Sequence, residues 1–331
     1  MSGVTRADVV IVGGGLLGLS TAWALRGKRD VLVLERETIG NARAGSHGPT
    51  RIFRLGYTDP AFVEMAQRAA PCWRALEEAA GVELLHPTPQ LTFGPGAEAV
   101  FDALTRAEAP VARITAAEIE RRFAVFAGHG DAVLEPASAV IAADRTLAAL
   151  LRVSGAEYRD HTVVDRVEAH RVEVGDEVIE ARTVVVCAGP WTRALVPGVN
   201  TTPTLEHVGY VRAPDGLPIF IDFREPAVYG LPTPGSDLYK IAVHHGGPPI
   251  DVSAEFVPDP GAVSALQRAI DQWLPESELV RVDVCPYDNT ADETFVVERV
   301  GGIVVGAGTS GHGFKFGPLL GEQLAQLVLD D

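Results

Sequence analysis

Lysine is scarce in this 331-residue chain: of 28 basic residues only Lys28, Lys240 and Lys315 are lysines. Arginine serves wherever a generic positive charge is enough, so each lysine is a candidate for a role that needs a compact, titratable ammonium. Cysteine is equally sparse. Cys72, Cys187 and Cys285 are odd in number and widely spaced, which fits neither a disulfide framework nor a zinc site and reads as buried thiols. The nine histidines show no metal-ligand spacing, so no metal is expected. No apolar run reaches the roughly 18 residues of a membrane span. A net charge of −16 without any basic run argues against nucleic acid or an anionic membrane as a partner. Met1 to Asp8 are polar and lead straight into an apolar run, a pattern unlike a signal peptide, so the expected location is cytoplasmic.

Glycine is plentiful and ordered. Val9-Val10-Ile11-Val12 runs into Gly13-x-Gly15-x-x-Gly18, and Val31 to Glu35 follows at the distance of a second strand. Gly13 permits the tight turn, Gly15 lets backbone N–H groups approach a pyrophosphate, and Gly18 lets the helix pack close on the strand. The phosphates then sit on a helix N-terminus. Glu35 ends the second strand, where a carboxylate accepts hydrogen bonds from a ribose and repels a 2′-phosphate, which favours FAD or NAD over NADP.

The first β-α-β unit comprises the fingerprint strand, a helix over about 15–26 and the strand to Glu35. Phe62, Met65, Ala69, Trp73 and Leu76 share a face of a helix over 59–80 that opens at Asp59-Pro60. Short apolar runs at 90–93, 208–211, 227–231 and 239–243 predict antiparallel strands outside the parallel sheet. A helix over 144–151, alternating strands over 163–178, buried strands at 182–189, ending in a glycine turn, and 302–308, and a helix over about 318–329 return the chain to the nucleotide unit. The expected class is α/β with an α+β second domain. A Rossmann-like dinucleotide domain (1–84, 136–205 and 283–331) is interleaved with an antiparallel-sheet substrate domain (85–135 and 206–282).

Four motifs carry the chemistry. Gly45-Ser46-His47-Gly48-Pro49-Thr50-Arg51-Ile52-Phe53-Arg54-Leu55-Gly56-Tyr57 lies just after the nucleotide unit, and Tyr229-Gly230-Leu231-Pro232 is followed by Lys240 and His244. Val284-Cys285-Pro286-Tyr287-Asp288-Asn289-Thr290 and Ser310-Gly311-His312-Gly313-Phe314-Lys315-Phe316 lie near the C-terminus. With late glycine-terminated strands of the glutathione reductase type, the chain resembles the monomeric sarcosine oxidase and N-methyltryptophan oxidase family of the D-amino acid oxidase superfamily. Pro286 and Asp288 depart from its pattern, in which threonine usually stands at the Asp288 position.

The resemblance implies FAD, linked through a thioether to Cys285. It implies a substrate carboxylate held by Arg54 and Lys315, with Tyr57, Tyr229 and Tyr287 lining the substrate cavity and His244 beside it. Lys240 would activate dioxygen, and His47 and Arg51 would polarise the flavin surroundings. The implied cofactor contacts are Gly13, Gly15, Leu16, Leu17, Gly18, Glu35, Arg36, Ser46, Thr50, Val164, Ala188, Gly189, Trp191, Gly311, His312, Gly313 and Phe314, together with His47, Arg51, Cys285 and Lys315. The implied reaction is oxidation of a small secondary amino acid to an imine, with dioxygen reduced to hydrogen peroxide, by a monomer. Two alternatives stay open: an FAD oxidase or dehydrogenase of a cyclic imino acid, primary amino acid or hydroxy acid, and a non-catalytic flavin-binding partner subunit.

Overall fold

The computed structural model describes residues 5–330. Its first sheet is built on Thr5–Val12, which pairs in parallel with Val31–Leu34 on one side and Glu177–Val186 on the other. Glu157–Arg159 extends it beyond Val31–Leu34, and Ile303–Ala307 pairs in parallel with the end of Glu177–Val186. The alternating pattern over 163–178 becomes Arg166–Glu168, Arg171–Val174 and the start of Glu177–Val186, an antiparallel flap on this sheet. Residues 163–165 precede the first of these strands.

The helix Leu16–Leu25 is apolar all round, and every one of its residues is buried. Such a helix must be covered on all faces. The C-terminal helix Gly317–Leu329 does much of the covering: Gly317 sits against Leu16 and Gly321 against Ser20, where a Cβ would overlap either neighbour. This last helix is preceded by a 3₁₀ turn, Gly313–Phe316. Helix Pro60–Ala80 starts where the sequence places it. The Asp59 side chain caps it by accepting from the Ala61 N–H at 2.9 Å, and Gly81 ends it in the left-handed conformation.

The second sheet has eight strands in the spatial order Leu279–Asn289, Thr202–Arg212, Leu238–Val243, Val228–Pro232, Ile219–Asp222, Gln90–Phe93, Ala132–Glu135 and Ala112–Ile114. All neighbours are antiparallel except Ile219–Asp222 with Gln90–Phe93, which are parallel. The expected boundaries at 205/206 and 282/283 fall inside two of these strands. Thr202–Arg212 and Leu279–Asn289 pair antiparallel along their length, with Thr202 opposite Asn289, so the first strand leaves the nucleotide unit where the second returns to it. Helix Pro260–Trp273, not anticipated from sequence, packs Trp273 against Phe220 with ring centroids 4.2 Å apart and closes a separate aromatic core. A three-stranded sheet, Thr50–Phe53, Ala139–Ala142 and Leu85–Pro87, lies between the two. All three cysteines are free and buried. Among the described residues no helix is long and apolar enough to cross a membrane.

Candidate active site

A single cavity of about 780 Å³ runs from the glycine fingerprint to the second sheet. At the fingerprint end it is lined by Gly13, Gly15, Leu16, Leu17, Glu35, Arg36, Ser46, Val164, Ala188, Gly189 and Trp191. Gly13 adopts φ 109° under the Cys187 carbonyl, and Gly18 lies so close to the Gly13 carbonyl oxygen that a Cβ there would overlap it. Gly18 therefore sets the helix on the strand without facing the cavity. At Gly15 the nearest atom to an added Cβ is the Ser46 hydroxyl oxygen at 3.3 Å. That hydroxyl accepts from the Leu16 N–H at 3.0 Å.

The Glu35 carboxylate accepts from the Gly14 N–H at 2.8 Å and the Glu37 N–H at 3.1 Å. Burial raises its pKa against those hydrogen bonds. The Arg36 guanidinium lies 4.6 Å from the Trp191 ring centroid, with its Nε buried and unpartnered. A buried carboxylate, an unpartnered guanidinium nitrogen and a glycine-lined helix start with the Ser46 hydroxyl beside it form a donor and acceptor set that fits a dinucleotide.

Farther along the cavity wall, strand Leu279–Asn289 contributes Cys285. Cys285 Sγ is 3.5 Å from the Gly45 carbonyl oxygen and 3.9 Å from Arg51 Nη2. Arg51 donates to the carbonyls of Gly45 (3.0 Å), His47 (2.6 Å) and Thr50 (2.9 Å), so one guanidinium folds this loop against the thiol. His47 and Thr50 are not among the cavity-lining residues. The Thr50 hydroxyl donates to the Pro232 carbonyl at 2.8 Å, and His47 Nδ1 meets the Ala44 carbonyl oxygen at 2.6 Å. Both side chains are thus engaged with the surrounding backbone.

Lys240 lies on strand Leu238–Val243, opposite Leu231 on one side and Tyr210 on the other. It is buried and lines the cavity, with no hydrogen-bond acceptor among the described residues. Desolvation, helped by the nearby Arg51 charge, lowers its pKa to about 7.

At the far end Arg54, Tyr57, Tyr229, His244, Tyr287, Glu293 and Lys315 converge. Arg54 Nη1 donates to the Gly56 carbonyl, and its guanidinium lies 4.2 Å from the Tyr57 ring centroid. Buried Lys315 donates to the Tyr57 hydroxyl and the His312 carbonyl, each at 2.7 Å. Its pKa is well below the usual lysine value, through desolvation and then the Arg54 charge. Neither cation forms an ion pair among the described residues. Burial, and then the neighbouring His245, pull the His244 pKa down to about 3, so this imidazole is neutral. Burial keeps the Tyr229 and Tyr287 phenols protonated.

Sequence reasoning missed Glu135. This buried carboxylate accepts from the Leu55 N–H at 2.6 Å and the Gly56 N–H at 2.9 Å, and so holds the loop that presents Arg54. It ends an ordinary-looking strand 80 residues from its partners, and no local spacing marks it. Glu293 was missed for the same reason. Among the described residues no group of acidic, histidine or cysteine side chains could hold a metal.

Comparison with known proteins follows the same lines. The family model for FAD dependent oxidoreductases, DAO, matches residues 8–327. Human peroxisomal sarcosine oxidase is 29% identical, over 97% of this chain and 92% of its own length. Monomeric sarcosine oxidase of a Bacillus species is 28% identical, over 98% of this chain and 93% of its own. The structure of NikD, an unusual amino acid oxidase essential for nikkomycin biosynthesis, superposes with a TM-score of 0.88 at 26% identity, covering 99% of this chain and 95% of that one.

Proposed function

The chain belongs to the DAO family of FAD-dependent oxidoreductases and is an FAD-dependent amine or amino acid oxidoreductase; on that premise we propose that it oxidises a small N-methylated amino acid and passes the electrons to dioxygen. The observation that carries this reading is a pair of cations, partly buried Arg54 and buried Lys315, which face one end of the cavity without an ion pair to any carboxylate among the described residues. An isolated buried charge is costly. A substrate carboxylate removes the cost by accepting charge-assisted hydrogen bonds from both.

FAD, when bound, supplies the hydride acceptor. Arg54 and Lys315 hold the carboxylate and, by their charge, favour the neutral form of the substrate amine, the form able to lose hydride from the adjacent carbon. His244 is neutral and the Tyr229 and Tyr287 phenols are protonated, so these neighbours add no anion that would hold the amine as an ammonium. The imine formed is hydrolysed by water. Dioxygen takes two electrons and two protons to become hydrogen peroxide. The Lys240 ammonium supports the negative charge that develops on oxygen, with Arg51 as a second fixed cation beside it.

Cys285, in the cavity wall beside Arg51, is the residue for thioether attachment of the cofactor. The same reading makes the protein a monomer, as the word monomeric in the Bacillus relative's name suggests. Anaerobic mixing with N-methyl amino acids, primary amino acids, cyclic imino acids and hydroxy acids tests the proposal. Flavin bleaching fastest with an N-methyl amino acid supports it. Bleaching only with another class transfers the site to that class, and no bleaching with any of them would leave a flavin-binding subunit without turnover.

A further inference from the structure

Lys315 is held by a chain of hydrogen bonds whose direction is set far from the ammonium itself. Its Nζ donates to the Tyr57 hydroxyl at 2.7 Å, the hydroxyl meets His312 Nδ1 at 3.1 Å, and His312 Nε2 meets the Glu293 main-chain carbonyl at 3.0 Å. A carbonyl only accepts, so Nε2 carries the ring proton. Burial and then the Lys315 charge depress the His312 pKa to about 3, so the ring has no second proton. Nδ1 therefore accepts, the Tyr57 proton points at it, and the hydroxyl lone pairs face Lys315. With a second N–H given to the His312 carbonyl, one N–H of the ammonium is left for the cavity. Were the ring in the other tautomer, the Tyr57 proton would point at Nζ and favour the uncharged amine.

The end of this chain is fixed by an unusual backbone. Glu293 sits at φ 60° and faces His245, itself at φ 52°, through a 3.2 Å ion pair. Left-handed backbone at a residue other than glycine is strained, and persists where the surroundings over-determine it. Here the carbonyl meets His312, and the partly exposed side chain pairs with His245. Phe62, Phe295 and Phe316 surround the imidazole with ring centroids 5.0, 4.8 and 6.3 Å away, a dry setting in which hydrogen-bond direction carries weight.

We propose that Glu293 and His312 are positioning residues for Lys315: the Glu293 carbonyl fixes the His312 tautomer, the tautomer orients the Tyr57 hydroxyl, and the hydroxyl oxygen holds Lys315 as an ammonium with one N–H free for a substrate carboxylate. This rests on the reading of Arg54 and Lys315 as the carboxylate site. The charged groups acting on Lys315 are Arg54 and Glu135; those acting on His312 are Lys315, Arg54 and Glu293, and His244 stands near His312 at the same cavity end.

Calorimetric titration of the FAD-loaded protein with acetate, a carboxylate that has no amine to oxidise, tests the proposal across pH. Wild type should bind acetate, less tightly as pH rises and Lys315 loses its proton. Arg54→Met should bind it at least tenfold more weakly, on the scale of a lost charge-assisted hydrogen bond. His312→Phe keeps a ring and removes both nitrogens. It should weaken acetate binding by about tenfold at neutral pH and move the loss of affinity to lower pH. His312→Asn places an oxygen near the Nδ1 position and should restore most of the binding. Tyr57→Phe, the smallest change, should behave like His312→Phe. Wild-type affinity and pH dependence in both Tyr57→Phe and His312→Phe would overturn the positioning role and leave the carboxylate site standing. Equal weakening by His312→Asn and His312→Phe would overturn the tautomer in favour of packing. Failure of wild type to bind acetate, or indifference to Arg54→Met, would overturn the carboxylate site and the positioning role with it.

Discussion

The two ends of the cavity are built on opposite principles. The fingerprint end works through backbone: three glycines, a helix start and one carboxylate that is itself tied to main-chain N–H groups. The far end works through side chains, with one buried and one partly buried cation that form no ion pair among the described residues, supported by neutral hydroxyls and imidazoles. The first kind of site is fixed by close packing and gains little from changes in protonation. The second stores unfavourable burial of charge that only a ligand relieves, so its behaviour follows pH and ligand chemistry.

Substitutions should separate the ends in that order of severity. Gly18→Val would drive a branched side chain into the Gly13 carbonyl, so purified protein should carry no flavin or fail to fold; flavin loading equal to wild type would contradict the packing account. Lys240→Met keeps most of the volume and removes the charge. It should slow reoxidation of reduced flavin by dioxygen by roughly 10²-fold, with little effect on reduction by substrate; equal slowing of both half-reactions would assign Lys240 to structure. Because the pKa of Lys240 is lowered to about 7, the charged form that assists oxygen dominates below that pH. Wild-type reoxidation should therefore slow as pH rises through about 7, and the dependence should vanish in Lys240→Met. Arg54→Ala leaves Lys315 as the only cation on the carboxylate and should raise KM at least tenfold, on an estimate of about 1.5–3 kcal/mol for a lost charge-assisted contact; an unchanged KM would remove Arg54 from the site. Cys285→Ser should have the narrowest effect. Flavin that stays with acid-precipitated wild-type protein should pass to the supernatant in the variant, and release from wild type too would sink the thioether while leaving FAD binding intact.

The same contrast explains what could be read from sequence. The fingerprint end was legible because its parts lie within residues 9–35 and each glycine answers a local backbone demand. Lys240 and Lys315 stood out because lysine is so rare in this chain, and the four motifs together bring Arg54, Tyr57, Tyr229 and Tyr287 to the wall of the same cavity. Glu135 and Glu293 were invisible. Each acts across a long stretch of chain, one on main-chain N–H groups and the other through its own carbonyl, and neither task demands a particular neighbour in sequence. Thr50 and His47 illustrate the converse. They sit within the motif that carries Arg51 and Arg54, yet their side chains bond to backbone outside the residues that line the cavity.

The carboxylate clamp is tested most directly by comparing N-methylglycine with its amide in anaerobic flavin reduction. Loss of the negative charge leaves buried Lys315 and partly buried Arg54 without an anionic partner in the ligand. The amide should therefore reduce the flavin with an apparent second-order rate about a hundredfold lower or worse, from two contacts of roughly 1.5 kcal/mol each. Reduction by the amide as fast as by the acid would contradict the clamp and return Arg54 and Lys315 to the cofactor or to structure.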